Sequence, residues 1–193
     1  MAQDTKEQLA ARLAESKRDL ENLQAESRAW LEGHIKNPHL ASNTREVYRL
    51  RLLKDYRAGH QALRDGDYAL AYNLFAASLS DPNASPVSRY LALDYMRAAA
   101  AKMKDLKKYC DALRQQGELA STEDLSVLGI SKDPHNRQGY EESIKILMAS
   151  RDSSVFDALV EARMRDAKDQ SKRSEVVEKL RREIRLREEI FND

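Results

Sequence analysis

Glycine and proline are scarce, six and four among 193 residues. Sandwiches, barrels and doubly wound sheets need turn residues at close intervals, so this scarcity argues against all three. Runs of β-branched residues are missing as well. Valine and isoleucine stand mostly singly, as at Ile35, Val47, Val87 and Val127, and the pair Val176-Val177 lies inside a charged helical stretch. The single cysteine, Cys110, excludes an intramolecular disulfide and sits in a helical run, where a packed thiol is the ordinary reading. An excess of one charge is also lacking. With 33 basic and 32 acidic residues the net charge is +1, too little to draw the whole chain to nucleic acid or to an anionic membrane. No apolar run approaches the ~18 residues of a membrane span, and no secretory leader is legible. Met1-Ala2-Gln3-Asp4 reads as a natural start or as the start of a trimmed mature chain. The expectation is therefore a cytoplasmic protein by default, or a periplasmic one in the trimmed case.

What is present is charge and helix formers. Charged residues make up 34 % of the chain and apolar ones 41 %. That charge content exceeds the ~25 % of an ordinary globular domain and points to long helices with large solvated faces. The expected fold class is all-α. Three segments are expected: residues 1–36 as an N-terminal amphipathic or coiled-coil helix, residues 42–152 as helical hairpins, and residues 153–193 as one long charged C-terminal helix.

In the first segment Leu9, Leu13, Ser16, Leu20, Leu23, Ser27 and Trp30 recur in alternating steps of four and three, an unbroken heptad seam. Such a helix either lies on its own domain or oligomerises. Gly33 and Asn37-Pro38 break it. Ser42 or Asn43 offers the next cap, with Glu46 placed to complete a capping box on Asn43, and a helix is expected from there to about Arg64. Around Asp65-Gly66-Asp67 the chain reads as a hairpin. Ala58, Gly59 and Ala62 form a small-residue stripe on one helix, and Tyr68, Ala71, Tyr72, Phe75 and Leu79 form the facing stripe on the next. Asp81-Pro82 ends it.

Gly59, Gly66, Tyr68, Ala71, Phe75 and Leu79, with a proline near the unit's end, resemble a tetratricopeptide repeat. The chain departs from that pattern at Asp55, Ser78 and the early Pro82. A second unit over Ser85 to Gln116 lacks the turn glycine and has Lys104-Asp105 instead. A third is carried by Leu128-Gly129, Gly139-Tyr140, Ser143 and Leu147. The resemblance implies a groove lined by the first helix of each hairpin. It places Leu53, Tyr56, His60, Leu63 and Arg64 on the first unit's free side, and Leu91, Asp94, Ala98 and Lys102 on the second's. Leu53, Tyr56, His60, Arg64, Asp94 and Lys102 are the expected partner-binding residues, suited by ring area and charge to a protein or peptide segment. The competing reading packs Leu53, Tyr56 and Leu63 beneath terminal helices.

The C-terminal segment carries acid-then-base pairs four apart, namely Glu161/Arg165, Asp169/Arg173, Glu175/Lys179, Glu178/Arg182 and Glu183/Arg187. An apolar seam at Val177, Leu180, Ile184 and Phe191, with Ile190 beside it, calls for a partner: the N-terminal helix or a second chain. Nothing resembles catalytic or metal chemistry. His34, His39, His60 and His135 lack ligand spacing, Glu141-Glu142 and Glu188-Glu189 are adjacent and so diverge on a helix, and no phosphate loop or nucleophile motif occurs. The basic clusters Lys102, Lys104, Lys107, Lys108 and Arg49, Arg51, Lys54, Arg57 read as solvated faces. The expectation is a non-enzymatic scaffold or adaptor without cofactor or metal, binding a protein segment and no nucleic acid. The alternative is a structural protein that self-assembles into a homo-oligomer through its terminal helices.

Overall fold

The computed structural model describes residues 6–38, 42–166 and 172–191. The chain is all-α: among the described residues there is no strand, and the β-type pairing is an isolated bridge between Leu125 and Ile130. The helices are α1 (Lys6–Ile35), α2 (Ser42–Leu52), α3 (Lys54–Arg64), α4 (Tyr68–Ser78), α5 (Pro86–Lys102), α6 (Leu106–Thr122), α7 (His135–Met148), α8 (Ser153–Asp166) and α9 (Arg173–Glu188). Short 3-10 turns cover Ser126–Leu128 and Glu189–Phe191. His39, Asp169 and the side chains of Ser42 and Asn43, which carried expectations above, lie outside the described residues.

Two compact units divide the chain, Met1–Leu52 and Leu53–Asp193. The division falls at Leu52/Leu53, so α2 belongs with α1. The helix expected to run unbroken to Arg64 is in fact two. Leu53 adopts an extended backbone (φ −71°, ψ 120°) and its carbonyl accepts from Arg57, so it closes α2 and opens α3. In the first unit α2 packs on the C-terminal end of α1, where Leu31 and Leu50 are buried. Arg49 bonds Glu46, and Arg45 donates to the carbonyl of Asn37 (3.1 Å).

In the second unit consecutive helices are neighbours, α3 with α4, α4 with α5, α5 with α6 and α6 with α7. Local chemistry sets their ends. Asp67, Ser85 and Asp105 cap α4, α5 and α6 by accepting from the amides of Leu70, Ser88 and Lys108 at 3.0, 3.1 and 3.0 Å. Gly66 leaves α3 at φ +78°, with Asp67 N bonded to Ala62 O and Gly66 N to Leu63 O. That pair of bonds is a Schellman close. Lys104 repeats it at φ +56°, with Asp105 N on Ala100 O and Lys104 N on Ala101 O. Gly59 meets the ring of Phe75, which would stand 3.0 Å from a β-carbon there, so the small-residue stripe does admit α4 closely. At Gly117 the approach is closer still: a β-carbon would stand 2.7 Å from Cβ of Tyr140 on α7.

A buried polar chain ties α5, α6 and α7. Arg97 donates to Gln116 Oε1 (2.7 Å) and to the Tyr109 hydroxyl (2.9 Å). Gln116, fully buried, donates to the Tyr90 carbonyl (3.3 Å), and the hydroxyls of Tyr90 and Tyr140 share a 2.6 Å bond. Burial, and next the bond to Tyr140, push the Tyr90 hydroxyl well above its ordinary pKa, so Tyr90 keeps its proton and the bond acts as a strut.

The segment expected as one C-terminal helix folds back on itself. Arg173 lies 2.6 Å from Glu161, and Arg163 lies 2.9 Å from Glu183. Along a continuous helix those pairs would be ~18 and ~30 Å apart. Glu161 and Glu183 thus take cations from across the α8–α9 interface, where helical spacing had pointed to Arg165 and Arg187. The apolar seam of α9 has its partner here as well: Leu180 and Ile184 pack with Leu159, Val160 and Met164 of α8 and with Ile146 and Ala149 at the end of α7. Phe191 lies against Tyr109 with ring centres 5.1 Å apart. No helix among the described residues is long and apolar enough to cross a membrane.

Candidate protein interaction surface

The six residues expected to bind a partner do not form one open stripe. Leu53 and Tyr56 are corrections: they are 6 % and 5 % exposed and offer no surface. Tyr56 sits in a cluster of rings, 4.7 Å from His60, 5.5 Å from Phe75 and 5.7 Å from Tyr95 between centres. His60, half-buried, stands 4.2 Å from Tyr95 of α5. The physical reason is that α3 has two neighbours' worth of contact to make. Gly59 and Ala62 face α4, and the next face round the helix carries Tyr56 and His60 onto Phe75 and Tyr95. Rings edge-on at these distances are a packed aromatic core. Arg64, Asp94 and Lys102 are exposed, but Arg64 donates to Gln61 (2.9 Å) and Asp94 pairs with Arg97 (3.2 Å).

Cys110 is buried among Ala100, Tyr109, Leu113, Ile144 and Leu147, and burial pushes its thiol up to about 11. It has no thiolate character near neutral pH. Among the described residues no group of three His, Cys, Asp or Glu side chains converges on a point where a metal could sit.

The conspicuous exposed surface lies on the first unit. Leu9, Leu13, Leu20, Leu23 and Trp30 of α1 are 55, 73, 54, 62 and 53 % exposed. They occupy the seam that the heptad spacing traced, together with exposed Ser16 and Ser27. Every described side chain of α1 from Leu9 to Trp30 is exposed, over roughly 32 Å of helix. At its C-terminal end the seam meets a small aromatic group: Trp30 lies 3.8 Å from His34 with the rings tilted by 33°, and stands edge-on to Tyr48 of α2 at 5.6 Å. His34 Nδ1 lies 2.9 Å from the Trp30 carbonyl, and Arg28 pairs with Glu32 at 2.9 Å on the flank. The last part of the seam is thereby held in one orientation, while the leucines ahead of it face water. Contiguous apolar stripes of this kind are rare on monomers and mark association surfaces.

One further opening lies in the second unit, where the end of α4 meets the start of α5 and the last turns of α6. No family model, curated protein or solved structure matches this chain.

Proposed function

We propose that this protein is a non-enzymatic helical scaffold that works by holding proteins, and that its principal contact is with a second copy of itself along α1. The observation that carries the reading is the exposed heptad seam of Leu9, Leu13, Leu20, Leu23 and Trp30. A helix standing in water with a leucine seam uncovered gains little from its own hydrogen bonds and much from a partner that covers the seam.

The spacing favours an identical partner. In a parallel pair each seam residue meets its own copy. In an antiparallel pair centred between Glu21 and Asn22, Leu20 meets Leu23, Ser16 meets Ser27 and Leu13 meets Trp30. Both alignments leave hydroxyl against hydroxyl and no leucine against a lone serine, the antiparallel one setting Leu9 against His34. Under the same proposal α3–α7 form a tetratricopeptide-like body, and the assembly presents several such bodies at once.

The test is sedimentation equilibrium on the full chain at micromolar concentration, beside the double variant Leu13→Lys/Leu20→Lys. The expected result is a mass that is a multiple of 22.1 kDa for the natural chain and the single-chain mass for the variant. Both leucines are exposed, so the circular dichroism of the rest of the chain should be unchanged. A natural chain that stays at the single-chain mass would sink the reading and give the seam to a different protein. A variant that keeps the oligomer mass would place the contact elsewhere.

A further inference from the structure

The seam of α1 does not stop at Trp30. His34 stands four residues further on, the next step in the alternation of four and three that begins at Leu9. The seam residues before it, from Leu9 to Trp30, are leucine, serine and tryptophan, none of which changes charge in water. Imidazole is the side chain whose charge changes between pH 5 and 8. A seam that is otherwise indifferent to pH thus carries one group that is not.

The site favours the neutral ring. Its centre lies 3.8 Å from that of Trp30 and 5.9 Å from that of Tyr48, the side chain of α2 that meets it. Nδ1 lies 2.9 Å from the Trp30 carbonyl. A carbonyl can only accept, so Nδ1 carries the hydrogen and Nε2 is the nitrogen that takes up a proton. The acids at these two helix ends are engaged elsewhere: Glu32 pairs with Arg28, and Glu46 with Arg49. The other charged groups there are cations. Arg45 donates to the Asn37 carbonyl, and Lys36 and Arg51 are exposed.

Pairing through the seam covers His34 in either alignment. In the parallel pair it meets the imidazole of its own copy, so two protonated rings would face each other. In the antiparallel pair it meets Leu9, and the cations beside Leu9 on the partner helix are Lys6 and Arg12. Both alignments take the ring out of water and set a like charge near it, and each of those effects disfavours the protonated form.

We infer that assembly along α1 is gated by pH: the seam closes on a neutral His34, and protonation of Nε2 in mildly acidic solution releases the copies. The inference rests on the reading that α1 pairs with a second copy. Its sign follows from linkage. The assembled state binds fewer protons than the separate chains, so assembly weakens as the pH falls.

The experiment is sedimentation equilibrium of the full chain at pH 7.5, 6.5 and 5.5, beside His34→Gln and His34→Phe. Neither variant can take up a proton at that position, and the second keeps a ring against Trp30. Association of the natural chain should weaken about tenfold or more from pH 7.5 to pH 5.5. Both variants should associate equally at the three pH values, which also shows the chain folded in the acid. A natural chain that assembles equally at all three would overturn the inference and leave the α1 pairing standing. The single-chain mass at pH 7.5 would overturn both. Acid release that persists in the two variants would overturn the inference as well, by assigning the proton to another group.

Discussion

At the scale of single residues, the two helix ends at Gly66 and Lys104 are the same device made from different material. Both residues are left-handed, both close their helix with the same two backbone bonds, and both precede an aspartate that caps the next helix. Glycine adopts that conformation freely, whereas a residue with a β-carbon does so at a penalty of roughly 1 kcal/mol or more. Lys104→Gly should therefore stabilise the protein by about 0.5–1 kcal/mol, part of the gain being lost to the freer unfolded chain. Urea unfolding at neutral pH checks it, and a destabilised variant would mean that the Lys104 side chain makes a contact worth more than the strain. The glycine at 66 was legible because it stands between two apolar stripes. The turn at 104 was legible by position, from Lys104-Asp105, but its left-handed residue was not, since nothing in a lysine announces a positive φ.

Helices and their seams were legible to different depths. The α1 seam could be read in full, because heptad spacing depends on nothing outside the helix and the structure leaves it exposed. The face of α3 could be read as a face, with Tyr56 and His60 four apart, but spacing does not say whether a face is covered, and Phe75 and Tyr95 cover this one. The ends of α2 and α8 were not legible. Leu52-Leu53-Lys54 is ordinary helical sequence, and Arg165 to Glu175 is rich in helix formers without glycine or proline. The first break is the extended backbone of Leu53, where one compact unit ends and the other begins. At the second, α9 returns to α8 and Arg163 reaches Glu183 with both side chains about a quarter exposed. The Arg163 bond, more than its charge, holds the Glu183 carboxyl below its ordinary value of 4.5, against the opposing effect of burial. A depressed carboxyl contributes stability above its unfolded-state pKa and loses it as the pH falls through the folded-state value. Glu183→Gln should thus lower stability by about 0.5–1 kcal/mol near neutral pH. The difference from the natural chain should shrink through the acid range and vanish once Glu183 is protonated. Denaturant unfolding across that range gives the profile, and a deficit independent of pH would assign Glu183 a packing role in place of the ion pair.

At the scale of the whole molecule, the expected three-part division and the observed two units assign the C-terminal segment differently. Reading residues 153–193 as a separate charged helix leaves residues 42–152 to hold a core by themselves. In the structure Ile146 and Ala149, at the end of α7, are buried by Leu159, Val160, Met164, Leu180 and Ile184, all from beyond that boundary. Phe191 closes on Tyr109 in the same way. A chain cut at residue 152 keeps the apolar ends of α7 and α6 and loses what covers them. Burying one isoleucine fully is worth ~1.5–3 kcal/mol, and in a domain of about this size each kcal/mol moves the melting point by several degrees. Residues 53–193 should therefore unfold in one cooperative transition as a monomer, since the α1 seam is absent from that fragment. Residues 53–152 should melt at least about 10 °C lower or lose cooperativity. Calorimetry on the two fragments, with light scattering for their mass, decides between the readings. Equal melting points would detach α8 and α9 from the core and return them to the role of an external helical arm. A 53–193 fragment that still self-associates would move the assembly contact from α1 to the second unit, where Leu186 and Ile190 of the last turns remain exposed.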